Sequence, residues 1–133
     1  MSTLYSTELL ALASDIGHAG RLPAPTGSAT RRSPTCGSTV TVDVVTEGER
    51  LTAFAQEVRT CLLGQASAAL LGRCVFDADL PRLRAEVAAM LAGGPICEAY
   101  APLAPAAEHP ARHAAILLPM DAAIEAMEKS RQR

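Results

Sequence analysis

The chain has 133 residues, 49% of them apolar and 20% charged, with a formal net charge of −2. That is one domain's worth of chain, with enough apolar side chains for a hydrophobic core and too many for a disordered segment. Without a basic field for phosphates, and with no Trp, two Phe and two Tyr to stack on bases, nucleic acid is excluded as an expected partner. The opening Met1-Ser2-Thr3-Leu4-Tyr5 lacks the charged start and apolar stretch of a signal peptide, and no run approaches the ~18 apolar residues of a membrane span. A single cytoplasmic domain over 1–133, with no membrane contact, is therefore expected.

In chain order, Leu4, Leu9, Leu10, Leu12, Ala13 and Ile16 outline a short helix, which Gly17 and Gly20 are positioned to stop. Residues 21–35 carry Pro23, Pro25, Gly27, Ser28 and Pro34, too many breakers for a helix, although Ala29 to Arg32 suits an edge strand. Thr39 to Val45 alternates with Val40, Val42 and Val44 on one face; Thr46-Glu47-Gly48-Glu49 supplies a turn, and Leu51 to Val58 returns as the second strand. Val40, Val42, Val44, Phe54 and Val58 are the expected buried face. Good helix formers follow Cys61 as far as Gly72. A third helix opens with Asp79 as cap and Pro81 in its first turn, and runs to Gly93-Gly94. The last helix extends from about Pro110 to Lys129, and Pro119 is expected to kink or divide it. The sum is α+β: a small antiparallel sheet of about three strands against four to five helices.

The four cysteines, Cys36, Cys61, Cys74 and Cys97, form no C-x-x-C pair, so neither a zinc ribbon nor a thioredoxin motif is present. Cys74 and Cys97 stand among apolar residues, as small hydrophobes do. Cys36 and Cys61 differ, because they flank the two strands of one hairpin, whose outer ends meet in space. Arg21, Arg31 and Arg32 form either a basic patch for a partner or, as the favoured reading, ordinary solvated charges. His18 and His109 read as loop surface residues.

Several strings appear in a telling order: Leu4-Tyr5 with Gly17-His18-Ala19-Gly20, then Ser33-Pro34-Thr35-Cys36-Gly37, then Cys61 with Ala66-Ser67-Ala68, then Pro110-Ala111-Arg112. On these residues the chain resembles the U-type iron-sulfur cluster assembly scaffold family, most closely its SufU/NifU-like branch. The resemblance implies a scaffold that binds iron, a transient iron-sulfur cluster or zinc at Cys36 and Cys61, with a cysteine desulfurase and apo-protein acceptors as partners and a homodimer as one way to complete four thiolates. It is not an enzyme family. Thiolates are the ligands that iron-sulfur chemistry and zinc share, and Cys61, placed just before a helix, is favoured as thiolate and hence as sulfur acceptor.

The chain departs from the family pattern at several points. Ser38 replaces the aspartate after Cys-Gly, Thr60 replaces the glycine before the second cysteine, and the third cysteine aligns with Ala115 or Ala114. His113 is the candidate third ligand, its alternative being a solvated helix residue. Three functions remain open: a cluster scaffold, apo as purified because ligands are missing; a persulfide acceptor or relay; and a degenerate interaction module without metal chemistry.

Overall fold

The computed structural model describes residues 6–34 and 37–132 of the chain. Three antiparallel strands, β1 (Gly27–Arg32), β2 (Thr39–Glu47) and β3 (Arg50–Arg59), form one sheet in the order β1-β2-β3. Helices α1 (Thr7–Ala13), α2 (Leu62–Cys74), α3 (Leu80–Leu91) and α4 (His113–Arg131) join it, with 3-10 segments at Glu98–Glu108 and Pro110–Arg112. The α+β class follows as read from the sequence. Helix α4 lies across β1 and β2, and α2 packs between α1 and α4.

The valine face organises the core. Val40, Val42 and Val44 are fully buried, and directly opposite them on β3 stand Val58, Gln56 and Phe54. Phe54 is buried as expected, whereas Val58, next to the last residue of the edge strand β3, is only half-buried. Gly48 (φ 67°) makes the tight β2–β3 turn between Glu47 and Arg50. The β1–β2 connection is closed by Ser33 N–H donating to Ser38 O at 2.8 Å and Gly37 N–H donating to Ser33 O at 3.3 Å.

Two helix ends and one helix interior differ from the sequence expectation. Helix α1, capped by Ser6 Oγ accepting from Leu9 N–H, stops at Ala13 with Ser14 as its last right-handed residue, before Gly17 and Gly20 are reached. Those glycines serve the following loop instead. Helix α2 runs past Gly72 to Cys74, and Gly72 faces the Gly17 carbonyl and the His18 ring. Helix α4 continues undivided through Pro119; the lost backbone bond is local, and Ser67 Oγ on α2 donates to Ile116 O at 2.5 Å in the turn before the proline. The 3-10 stretch at 98–108, with Pro102 and Pro105, was not legible. Its anchor is Tyr100, fully buried, whose hydroxyl donates to Ser67 O at 3.0 Å. Helix α3 matches the reading: Asp79 caps it, and beyond its end Gly93 (φ 97°) and Gly94 donate to Met90 O and Ala89 O.

Two buried polar residues pin the loop between α1 and β1. Gln56 brackets Ala19, its N–H donating to His18 O and its carbonyl accepting from Gly20 N–H, both at 2.8 Å. Its side-chain amide donates to Gly17 O (3.1 Å) and Ala68 O (2.9 Å), tying loop and α2 to β3. On the opposite face Asp43, wholly inaccessible, accepts from Arg21 Nε (2.7 Å) and Nη2 (3.1 Å), Leu22 N–H (3.0 Å) and Ser28 Oγ (2.6 Å). The Arg21 guanidinium holds this carboxyl below its ordinary range, and the Ser28 and Leu22 donors add to the effect against the cost of burial. Because the folded-state pKa is depressed, the stabilisation is full above the unfolded value of about 3.9 and is lost as pH falls through the folded one.

Two expectations follow. Asp43→Asn should lower unfolding free energy at pH 7, with the gap to wild type narrowing as pH falls below the unfolded value of about 3.9; urea titrations from pH 7 into the acid range check this, and a gap that does not change with pH would remove the charge from the explanation. Gly27 lies so close to α4 that a Cβ there would sit 2.2 Å from Ala126 O and 2.8 Å from Ser130 N. Gly27→Ala should therefore cost about 2–3 kcal/mol by forcing β1 and α4 apart, read as a shifted urea midpoint.

Candidate functional site

Cys61 is the residue immediately before α2, extended at φ −65° and ψ 172°, and its side chain makes no capping hydrogen bond. The thiol is reduced and half-buried. A helix N-terminus presents free N–H groups and partial positive charge, surroundings suited to an anionic sulfur. The backbone is held on both sides: Thr60 Oγ1 donates to Cys61 O at 3.0 Å, Gln65 N–H donates to the same carbonyl at 3.0 Å, and Gln65 Nε2 donates to Thr60 O at 3.3 Å.

Thr60 stands where the resemblance expects glycine, and the structure shows what accommodates it. A Cβ on Gly64 would lie 2.5 Å from Thr60 Oγ1 and 2.6 Å from Thr60 Cβ, so the threonine side chain fills the space that Gly64 leaves. Gly64 is thus a functional neighbour that sequence reasoning passed over. Its spacing of four from Thr60, one helical turn, was the available signal.

The topology brings Cys61 and His113 to the same end of the sheet. Thr39 pairs with Arg59, so β2 begins beside the end of β3 that leads into Cys61. The C-terminal halves of α2 and α4 meet the β2–β3 turn, where Val75, Ile124 and Met127 line a groove with Glu49 and Arg50. Their N-termini, with Cys61 and His113, therefore point to the opposite end. His113, half-buried at the start of α4, places Nε2 2.8 Å from Ala106 O. A carbonyl only accepts, so Nε2 is the donor here, and in a neutral ring Nδ1 then carries the lone pair a metal would use.

Cys36 lies outside the described residues. Among the described residues no group of three or more His, Cys, Asp or Glu side chains is arranged to hold a metal. Ala115 is buried and Ala114 exposed, and neither can ligate. Ser38 is buried in the closing turn of the β1–β2 loop.

The remaining candidates fall elsewhere. Cys74 ends α2 and Cys97 precedes the 98–108 segment, donating its N–H to Met90 Sδ at 3.4 Å; both pack against the core as small hydrophobes. Burial pushes the Cys74 thiol pKa up, and the nearby Cys97 adds to it. Arg21 is taken up by Asp43 and Arg31 by Glu125 at 3.0 Å, so the arginines are not a free basic patch. His18 is exposed at φ 62°, its ring edge-on to Phe54 (5.8 Å) and Phe76 (5.5 Å).

No family model and no curated protein matches the chain. Solved structures do. The crystal structure of a nitrogen-fixing NifU-like protein (N-terminal) from Brucella abortus is 34% identical, covers 99% of this chain and 97% of its own, and superposes with a TM-score of 0.88. FiSufU from Fervidobacterium islandicum AW-1, assigned as an iron-sulfur cluster assembly scaffold for the SUF system, shares the fold at 17% identity and a TM-score of 0.82, over 94% of this chain and 97% of that one. A hypothetical protein does so at 20% identity and 0.72, over 91% and 97%. With a third of its residues identical along nearly the whole of both chains, the protein belongs to the U-type scaffold family, among its NifU-like N-terminal members.

Proposed function

We propose that the chain serves iron-sulfur cluster assembly as a sulfur-accepting scaffold whose working thiol is Cys61, with Cys36 as second thiolate and His113 Nδ1 as auxiliary ligand. The observation that carries this is Cys61 itself: a reduced, partly exposed thiol at the N-terminus of α2, free of any capping bond. The partner implied is a cysteine desulfurase. Cys61 thiolate would attack the outer sulfur of the desulfurase persulfide, forming Cys61–S–SH as the desulfurase cysteine leaves as thiolate; no net oxidant is needed. Iron or a nascent cluster is the cargo. His113 fits an auxiliary role because its Nε2–H is already anchored on Ala106 O, the second bond that fixes a ligating imidazole.

A specific observation favours a second reading, a degenerate module without metal chemistry: Ala115 and Ala114 supply no ligand where the family has its third cysteine, and Ser38 supplies no carboxylate. The two are separated by chemistry at Cys61. Incubation with a desulfurase and cysteine should add one sulfur atom to wild type, seen by intact mass as about +32 Da, and none to Cys61→Ser. No adduct on wild type assigns the degenerate module.

The missing ligands set the affinity. Ser38→Asp combined with Ala115→Cys should raise zinc affinity by at least about tenfold in competition with a chelator, since each anionic ligand both coordinates and neutralises the ion. Wild type that already binds as tightly as the double variant would mean that other residues hold the metal.

A further inference from the structure

Thr60 clamps the residue that follows it. Its hydroxyl donates to the Cys61 carbonyl at 3.0 Å, closing a small ring that runs through the Thr60 side chain and the Cys61 backbone. Both Cys61 dihedrals belong to that ring, so its closure holds φ at −65° and ψ at 172°, and with them the Cα–Cβ bond that carries the sulfur. The same carbonyl accepts Gln65 N–H at 3.0 Å, and the Gln65 side-chain amide donates to Thr60 O at 3.3 Å. The peptide groups on both sides of Cys61 are thereby tied to the first turn of α2.

Position 64 is what lets the hydroxyl sit there. A Cβ on Gly64 would lie 2.5 Å from Thr60 Oγ1, 2.6 Å from Thr60 Cβ and 3.1 Å from Thr60 Cγ2, so any other residue at 64 would push the threonine out of its pose. Glycine weakens a helix wherever its conformational freedom is not needed, and Gly64, inside α2, is not among the residues with positive φ. No turn calls for it. Its visible use is the room it leaves for Thr60, which marks the two positions as a pair.

We propose that Thr60 is the positioning residue of the Cys61 thiol, its hydroxyl holding Cys61 in the conformation that presents the sulfur to a persulfide donor. The role rests on Cys61 being the working thiol. In sulfur transfer the Cys61 sulfur bonds to the outer sulfur of the donor persulfide while that sulfur's bond to the donor cysteine breaks, and the donor leaves as thiolate. Such a displacement needs the attacking atom aligned with the bond that breaks, and misplacement by about 1 Å costs up to about a hundredfold in rate. Thr60 acts on this through the Cys61 backbone: its hydroxyl proton is spent on the carbonyl, and it supplies neither a ligand nor a proton to the transfer.

Single-turnover transfer from a persulfide-loaded cysteine desulfurase to the full chain, read by intact mass as uptake of one sulfur atom, tests it at a temperature where every variant is folded. Thr60→Val, which keeps the shape and loses the donor, should slow transfer at saturating desulfurase at least about tenfold, with the half-saturating desulfurase concentration unchanged. Thr60→Ser, which keeps the donor, should stay within about twofold of wild type. Gly64→Ala should be as slow as Thr60→Val, because its Cβ evicts the hydroxyl. Thr60→Gly/Gly64→Ala removes the clash and should melt above Gly64→Ala while remaining as slow. Thr60→Val at the wild-type rate, Thr60→Ser as slow as Thr60→Val, or a double variant that regains the rate each overturns the proposal. Cys61→Ser separates the positioning role from the role of the thiol itself: sulfur uptake by that variant, or none by wild type, overturns both, whereas an inert Cys61→Ser beside a fast Thr60→Val overturns the positioning role alone.

Discussion

The register of β2 against β3 is the constraint on which everything else depends. Val42 stands opposite Gln56 and Asp43 opposite Ala55, and because successive side chains point to opposite faces, only this pairing sends three valines inward while Asp43 goes to the reverse face. A slip of one residue would put Asp43 into the apolar layer and Val42 under the polar loop. Neither environment tolerates the exchange: the donor nearest in the layer, Gln56 Nε2, is already committed to Gly17 O and Ala68 O, and the loop donors would lose their acceptor. The same register brings Thr39 beside Arg59 and so fixes where the chain leaves the sheet for Cys61.

The loop from Gly17 to Leu22 depends on that register in turn. It has no apolar core of its own, yet it is held on one side by Gln56 through backbone and side chain, and on the other by Asp43 through Arg21 and Leu22. Gln56 spends its amide N–H groups on Gly17 O and Ala68 O, which leaves Oε1 without a partner among the described residues. An orphaned buried acceptor carries a cost, offset by the loop, β3 and α2 being joined at one point. Since α2 begins with Cys61, the loop's docking bears on the position of the candidate thiol through a rigid helix.

What could be read from the sequence was what local patterning controls. The valine alternation, the Gly48 turn, the Asp79 cap with Pro81 and the Gly93-Gly94 stop are each decided within a few residues, and each stands in the structure as read. The misreadings all concern residues whose role is set by a distant neighbour. Gly17 and Gly72 looked like helix stops but serve the contact between loop and α2, and Pro119, expected to kink or divide its helix, does not divide one that packs against β1, β2 and α2. Pro102 and Pro105 concealed a 3-10 segment because its order comes from Tyr100, fixed by Ser67 two helices away in sequence. The candidate site divides along the same line. Cys61 at a helix start is a local signal, while the anchoring of His113 on Ala106 and the packing of Thr60 over Gly64 needed the fold.

Keeping the frame while thinning the ligands has a physical logic. Cys61, its bracing by Thr60 and Gln65, and the anchored His113 ring are built into helix starts that the whole core orients, so their geometry costs nothing further to maintain. The ligand positions are different in kind. Where the resemblance expects a third cysteine, the candidates are Ala115, buried, and Ala114, exposed, and a small apolar side chain at either keeps no thiolate charge there. Fewer anionic ligands mean weaker retention of a cation and easier release.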